Sequence, residues 1–432
     1  MTSVVDSSFV SKPGKNFALE GLRGIAALGV VFSHCFYTFF PYLQTGEVAD
    51  QRTAWEFWLF NSPFRSLYNG TFAVAVFFLM SGYVLTRRFF NYGDYRSLQE
   101  GAVKRYIRLA LPAGASIMLC SILMEFHRFA AKDTDLSSFI RHVYIFEPSL
   151  LDAAKDAVYG ALVFGRANYD YVLWTIQIEF LGSLLLFAYL ALFGQCRFRV
   201  TIAMAVSVML VLIEPTNGIF FALFFVGAFM HTWRRPTSPR VVVLCVLVGS
   251  YLGSYHWRSL PSAWIVRGAD ALIRLGLRLD WGVLAFAVGA VFVVWVSLGQ
   301  NQASAFLSKR TAVWLGDKSF SLYLTHTLVL SSLGVDVYLW TAGLPYQLRA
   351  WISIAAVTLA SLAVSIVFAK FIDAPSVKLA QRFSDFCMRD RPLPMTSPDP
   401  ALVDPPRQNN PPVSARTDTG KSAHFGTEGT GE

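Results

Sequence analysis

The sequence predicts an all-α protein, a polytopic membrane helical bundle of about ten transmembrane helices. Three observations carry that expectation. Of 432 residues, 54% are hydrophobic and only 15% charged, with a mean hydropathy of +0.45; an average soluble domain carries about 25% charged residues. Predominantly apolar runs of roughly 17 to 25 residues, the length that crosses a hydrocarbon core, recur along the chain. None alternates strictly every second residue as a barrel strand would, and an open sheet edge would leave peptide groups unpaired in lipid.

The first run, 17–40, follows a segment (1–16) with neither the apolar core nor the cleavage site of a secretory signal, so it is expected to remain as a span. Further runs lie at 70–86, 109–127 and 170–193. The pair 199–214 and 217–233 is short and separated only by "EPTNG". Runs at 239–256, 280–299, 313–333 and 350–372 complete the set, so that 17–376 reads as one transmembrane domain. Lys and Arg fall mainly on the side that carries both termini, which the positive-inside bias makes cytosolic. The net charge of +9 is assigned to that bias rather than to nucleic acid. Residues 377–432 form a cytosolic tail; from about 390 its Pro, Ser, Asp and Asn content predicts disorder.

The far-side connections 41–69, 128–169 and 257–279 are long and rich in aromatics, as in "AWEFWLF", and suit interfacial helices that roof the bundle. Asn69 heads an "NGT" sequon at the edge of a span, where glycosylation is disfavoured. Five cysteines are scattered singly, which indicates neither a disulfide framework nor a metal site. No internal repeat of the kind common in transporters is visible.

An ionisable side chain deep in a span costs at least about 2.5 to 3.5 kcal/mol, so each should reach the interface or face a polar interior. In "RGIAALGVVFSH", Arg23 and His34 are eleven residues apart and share one helix face, roughly 16 Å apart along the axis. Interfacial anchoring of Arg23 and ordinary packing of His34 are the competing readings. Ser81 and Gly82 lie near the cytosolic end of the second run, where glycine permits close backbone approach. Lys104, Arg105 and Arg108 cluster at a cytosolic entrance; Arg105 and Arg108, as i,i+3 neighbours, could clamp one anion or simply anchor the helix.

Glu179 lies about ten residues into the fourth run and needs a cationic or donor partner. Tyr171 and Trp174 read as interface aromatics. In "LGDKSFSLYLTH", Ser319, Tyr323 and His326 share a face, and Asp317 stands at the expected helix start, where capping is the competing reading. Arginines toward the cytosol and histidines deeper in would suit a long anionic ligand such as an acyl-CoA. A proton path of His34, Glu179 and His326 through a proton-coupled transporter is the alternative.

The ordered motifs "LEGLRGIAALGVVFSH", "FFLMSGYVL", "RYIR", "LWTIQIEF", "LGDKSFSLYLTH" and "FIDAP" resemble the acyltransferase 3 family of integral-membrane O-acyltransferases. The resemblance covers nearly all of residues 17 to 376. It implies a ten-helix core that moves an acyl group, acetyl in one version, from cytosolic acyl-CoA as co-substrate to a hydroxyl of a glycan, lipid or small metabolite. No metal is implied. By that analogy His34 is the catalytic base, with Arg23 its partner in the same motif, and Arg105 and Arg108 lie nearest the CoA phosphates. Trp174, Asp317, Ser319, Tyr323 and His326 match motif positions without a firm role, and Glu179 is a candidate to orient the imidazole. Direct transfer and an acyl-histidine intermediate both remain open. Two departures stand out: no esterase-like domain is expected after the last span, and Asp373 replaces the glutamate of many relatives.

Overall fold

A computed structural model of the chain describes residues 16–389. Most of the expected N-terminal segment, and the stretch from 390 onward expected to be disordered, lie outside those residues. Every regular element among the described residues is helical. The principal helices are α1 (Phe17–Phe39), α2 (Gly70–Tyr92), α3 (Tyr95–Glu125), α4 (Tyr171–Phe193), α5 (Arg199–Ile213), α6 (Asn217–Thr232), α7 (Pro239–Gly253), α8 (Trp281–Ser297), α9 (Arg310–Trp340) and α10 (Tyr346–Cys387).

Six of these, α1 to α4 with α9 and α10, are long and apolar enough to cross a membrane. The expected count of about ten spans is therefore not met by length. The remaining four are apolar but have 17 residues or fewer. At 1.5 Å per residue a 15-residue helix rises about 22 Å, short of a ~30 Å core. The boundary between α5 and α6 falls at Pro215, which has no N–H with which to continue the ladder.

Other helices overrun their expected limits. Asp94 caps α3 by accepting the Ser97 N–H at 3.0 Å, so the helix starts well before 109. Arg105 and Arg108 consequently sit inside a 31-residue helix rather than at its mouth. The ninth helix begins at Arg310, which places Asp317 two turns inside it; the expected N-terminal position of Asp317 is overturned, and with it the capping role. Both α9 and α10 contain a π-turn, at Leu330–Gly334 and Ala369–Asp373. Such turns displace the helical register by one residue and are frequent at functional sites.

The pairing that positions the site is α1 against α9. A Cβ added to Gly24 would lie 2.5 Å from the Gly316 backbone nitrogen, so the two backbones touch where neither has a side chain. Small residues allow this approach in membrane helices, where packing rather than water exclusion drives association. Each long connection also contains short helices, among them Ala54–Phe60, Ser138–His142 and Ala263–Arg274. Asn69 is 5% exposed; its side chain caps α2 and donates to the Gly253 carbonyl at 2.9 Å, which leaves no room for a glycan.

Candidate active site

Between α1, α2, α3, α4, α9 and the π-turn of α10 lies a cavity of about 430 Å³. Its polar lining comprises Arg23, Arg105 and Arg108 together with Glu20, Glu179, Asp317 and Asp373, and Ser81, Ser319, Thr175 and Tyr323. The arginines do not stand free. Arg105 donates from Nη2 to Glu179 and from Nε to Ser183 Oγ at 2.8 Å, while Ser81 Oγ donates to the same Glu179 oxygen at 2.9 Å. Arg108 donates to Asp373 Oδ1 at 2.5 Å and lies over the Phe320 ring, 4.9 Å from its centroid. Arg23 pairs with Glu20 one turn earlier on α1, at 3.2 Å. Three guanidinium groups and four carboxylates thus nearly cancel, as buried charges must to offset their desolvation.

Tyr323 lines this cavity, and its ring centroid lies 6.1 Å from that of His326. Its hydroxyl is held by Thr175 at 2.8 Å and by the Val172 carbonyl at 3.0 Å. Beyond it the two histidines meet: His34 Nδ1 is 3.0 Å from His326 Nε2. The hydrogen-bond pattern assigns their protons. His326 Nδ1 faces the carbonyls of Tyr323, at 2.9 Å, and Leu322, at 3.1 Å, and therefore carries a hydrogen. That leaves His326 Nε2 as acceptor, so His34 donates from Nδ1, a proton it shares with the Val30 carbonyl at 3.1 Å. The lone pair of His34 then resides on Nε2, the tautomer a general base requires. His326 is fully buried, whereas His34 keeps partial exposure. Phe139 stacks on the His34 ring at 6.5 Å and Tyr171 meets it edge-on at 5.2 Å.

The structure gathers the expected residues into two groups rather than one. Arg23, Ser81, Arg105, Arg108, Glu179, Asp317, Ser319 and Tyr323 line the cavity; His34 and His326 form the pair beside it and are not among its lining residues. Glu179 does not orient His34, because Arg105 and Ser81 hold it on the other side of Tyr323. Gly82 is also outside the lining; its Cα packs on the Phe224 backbone of α6, which a side chain would displace. Trp174 is a packing residue whose ring lies 5.7 Å from Phe220.

Sequence reasoning missed three features. Asp170 is fully buried and accepts from Ser116 Oγ at 3.0 Å and Thr327 Oγ1 at 2.9 Å, tying α3 to the residue after His326. An aspartate immediately before an apolar run was the available signal. Tyr171 packs on His34, and nothing in its local sequence distinguishes it from an interface aromatic. Asp373, noted only as a departure, is the partner of Arg108.

A helical membrane bundle with a nearly charge-balanced cavity and a histidine pair beside it has the form of a membrane-embedded enzyme. The family described as an acyltransferase domain matches residues 16–370. The chain belongs to this acyltransferase 3 family and is a membrane acyltransferase. It is 23% identical to O-acetyltransferase PaAT-1 of Phomopsis amygdali, over 73% of this chain and 72% of that one. It is 22% identical to Acyltransferase R4 of Phoma sp., covering 86% and 96% of the two chains. Acyltransferase clz18 of Cochliobolus lunatus is 25% identical, over 65% and 72%. No solved structure matches the chain.

Proposed function

We propose that the protein is an O-acyltransferase that moves an acyl group from cytosolic acyl-CoA to a hydroxyl-bearing acceptor. The observation that carries this reading is the histidine pair: both Nδ1 hydrogens are committed, which leaves His34 Nε2 as an unprotonated base. The name of the Phomopsis amygdali relative supports acetyl as the group transferred and oxygen as its destination.

The cavity suits part of the donor. Its near-cancelling charges favour the uncharged pantetheine arm over the phosphates. Arg23 and Arg108, with side chains 31% and 28% exposed, keep N–H groups available for a phosphate at the rim. Arg105, at 11%, is committed to Glu179 and Ser183 and shapes the wall instead. The acyl end would then extend past Tyr323 toward the histidines.

In the direct reaction His34 Nε2 removes the acceptor hydroxyl proton as the oxygen attacks the thioester carbonyl carbon. Collapse of the tetrahedral oxyanion breaks the C–S bond, and the same proton passes to the CoA thiolate. His326 holds the imidazole in the required tautomer, the part a carboxylate takes in a hydrolase triad.

The test is CoASH release from acetyl-CoA by the purified protein in lipid nanodiscs. His34→Ala is expected to lower the rate by about 10²- to 10⁴-fold, the usual worth of a general base. Unchanged turnover would remove His34 from the chemistry. Proton-coupled flux across liposomes without any CoA would instead favour the transporter alternative.

A further inference from the structure

A second cavity, of about 350 Å³, lies on the other side of the histidine pair from the arginines. Met124 of α3, Ser331 of α9, and Phe129, Ala131, Ile140, Arg141, Tyr144 and Phe146 of the 128–169 connection form its inner wall. Glu125, His127, Lys132 and Glu147, all exposed, stand at its rim. It approaches His34 through two aromatic contacts. Tyr144 lies 6.3 Å from Tyr171, whose ring is 5.2 Å from that of His34; Ile140 follows Phe139, which stacks on His34.

The wall contains polar side-chain atoms with no hydrogen-bond partner among the described residues. Ser331 is 1% exposed and its Oγ has no hydrogen-bond partner. It belongs to the π-turn Leu330–Gly334, five residues beyond His326. Arg141 Nε is likewise buried without a partner. The Tyr171 hydroxyl, at the boundary between this cavity and His34, is a third such atom. Leaving a buried donor unmade costs roughly 1 to 3 kcal/mol, so Ser331 Oγ and Arg141 Nε in this wall, with the Tyr171 hydroxyl behind it, are costly unless a ligand completes them.

We propose that this second cavity is the acceptor site, which presents the attacking hydroxyl to His34 Nε2 from the side opposite the arginine-lined cavity. This rests on the acyltransfer reading above. The lining selects a partly apolar small alcohol that also carries a hydrogen-bond acceptor: Met124, Ile140 and Phe129 take its body, and Arg141 Nε and Ser331 Oγ its acceptor oxygens. Tyr171 is a positioning residue between this site and the base.

The experiment places a removable plug in the cavity and uses water as the probe acceptor. Ser331→Cys is made in a Cys196→Ser, Cys387→Ser background, since those two are the native cysteines not fully buried. The full chain is reconstituted in nanodiscs, modified with a charged methanethiosulfonate, and compared with itself before modification and after reduction. Acetyl-CoA affinity and the slow hydrolytic release of CoASH are both measured. The expected result is a drop in hydrolysis of about tenfold or more, reversed by reduction, with unchanged acetyl-CoA affinity, since a lost acceptor route leaves donor binding intact. Hydrolysis that survives full modification, or a plug that weakens acetyl-CoA binding equally, would overturn the acceptor assignment. Absence of any acetyl-CoA binding by the unmodified protein would instead overturn the acyltransfer reading. Should Ser331→Cys fail to fold, Ile145→Cys at the 62% exposed margin carries the same comparison.

Discussion

The arginine-lined cavity and the histidine pair lie on either side of Tyr323 yet are built by opposite means. The cavity is held together by charge: each guanidinium answers a carboxylate, at Arg23–Glu20, Arg105–Glu179 and Arg108–Asp373. The histidines are held by neutral contacts alone, to backbone carbonyls and to each other, inside an aromatic cage of Phe139, Tyr171 and Tyr323. Paired charges let a wall carry three guanidinium groups at a small net charge. The base role proposed for His34 gains from an environment with no fixed charge close enough to hold its proton.

That contrast can be broken most severely at Arg105. Arg105→Met should destabilise the protein by about 3 kcal/mol, the low end for a broken buried pair, because the part-buried Glu179 loses its cation. Adding Glu179→Gln should recover most of that loss, read as thermal stability of the detergent-solubilised chain. If the single variant is as stable as the parent, the pair contributes nothing to the wall.

A smaller and more selective effect is expected at the rim. Arg108→Ala should raise the KM for acetyl-CoA by an amount worth about 1.5 to 3 kcal/mol, the range of a charge-assisted hydrogen bond, with little change in kcat. Equal loss in kcat would count against the donor-binding role proposed for Arg108.

The smallest effect sharpens the comparison with a histidine outside both regions. His256, in the connection after α7, is pushed down to about 3 by burial and then by Arg65 and Arg258. The unfolded chain takes up this proton near the ordinary value of 6.5, the folded one only near 3, so stability is complete above 6.5 and declines as pH falls through that interval. His256→Asn keeps an acceptor for the Arg258 N–H, which His256 Nδ1 now receives at 3.2 Å, but does not titrate. Its Tm should therefore fall less than the parent's between pH 6.5 and 4; parallel curves would show that His256 is not the titrating group.

Much of this molecule could be read along the chain. Apolar run length located every principal helix, and the motif order pointed to the family. The insertion cost of ionisable groups singled out Arg23, His34, Glu179 and His326 before any coordinates. Helix limits were less legible, because α3 and α10 continue through polar residues that become buried only against each other: Arg108 of α3 meets Asp373 and Ser376 of α10. At α5 to α8 apolarity marked the helices, but their 15 to 17 residues fall short of the length that confirms a span.

The sequence by itself determined that the chain is helical, membrane-embedded and an acyltransferase, because hydropathy and motif order are local properties of a chain. Tertiary structure alone decided which polar residues are partners. His34 and His326 are 292 positions apart and Arg108 and Asp373 are 265 apart, and no spacing rule reaches that far. Their meeting depends on how closely Gly24 and Gly316 let two backbones approach and on a π-turn that ends at Asp373, and helix contacts and register shifts of this kind exist only once the bundle is assembled.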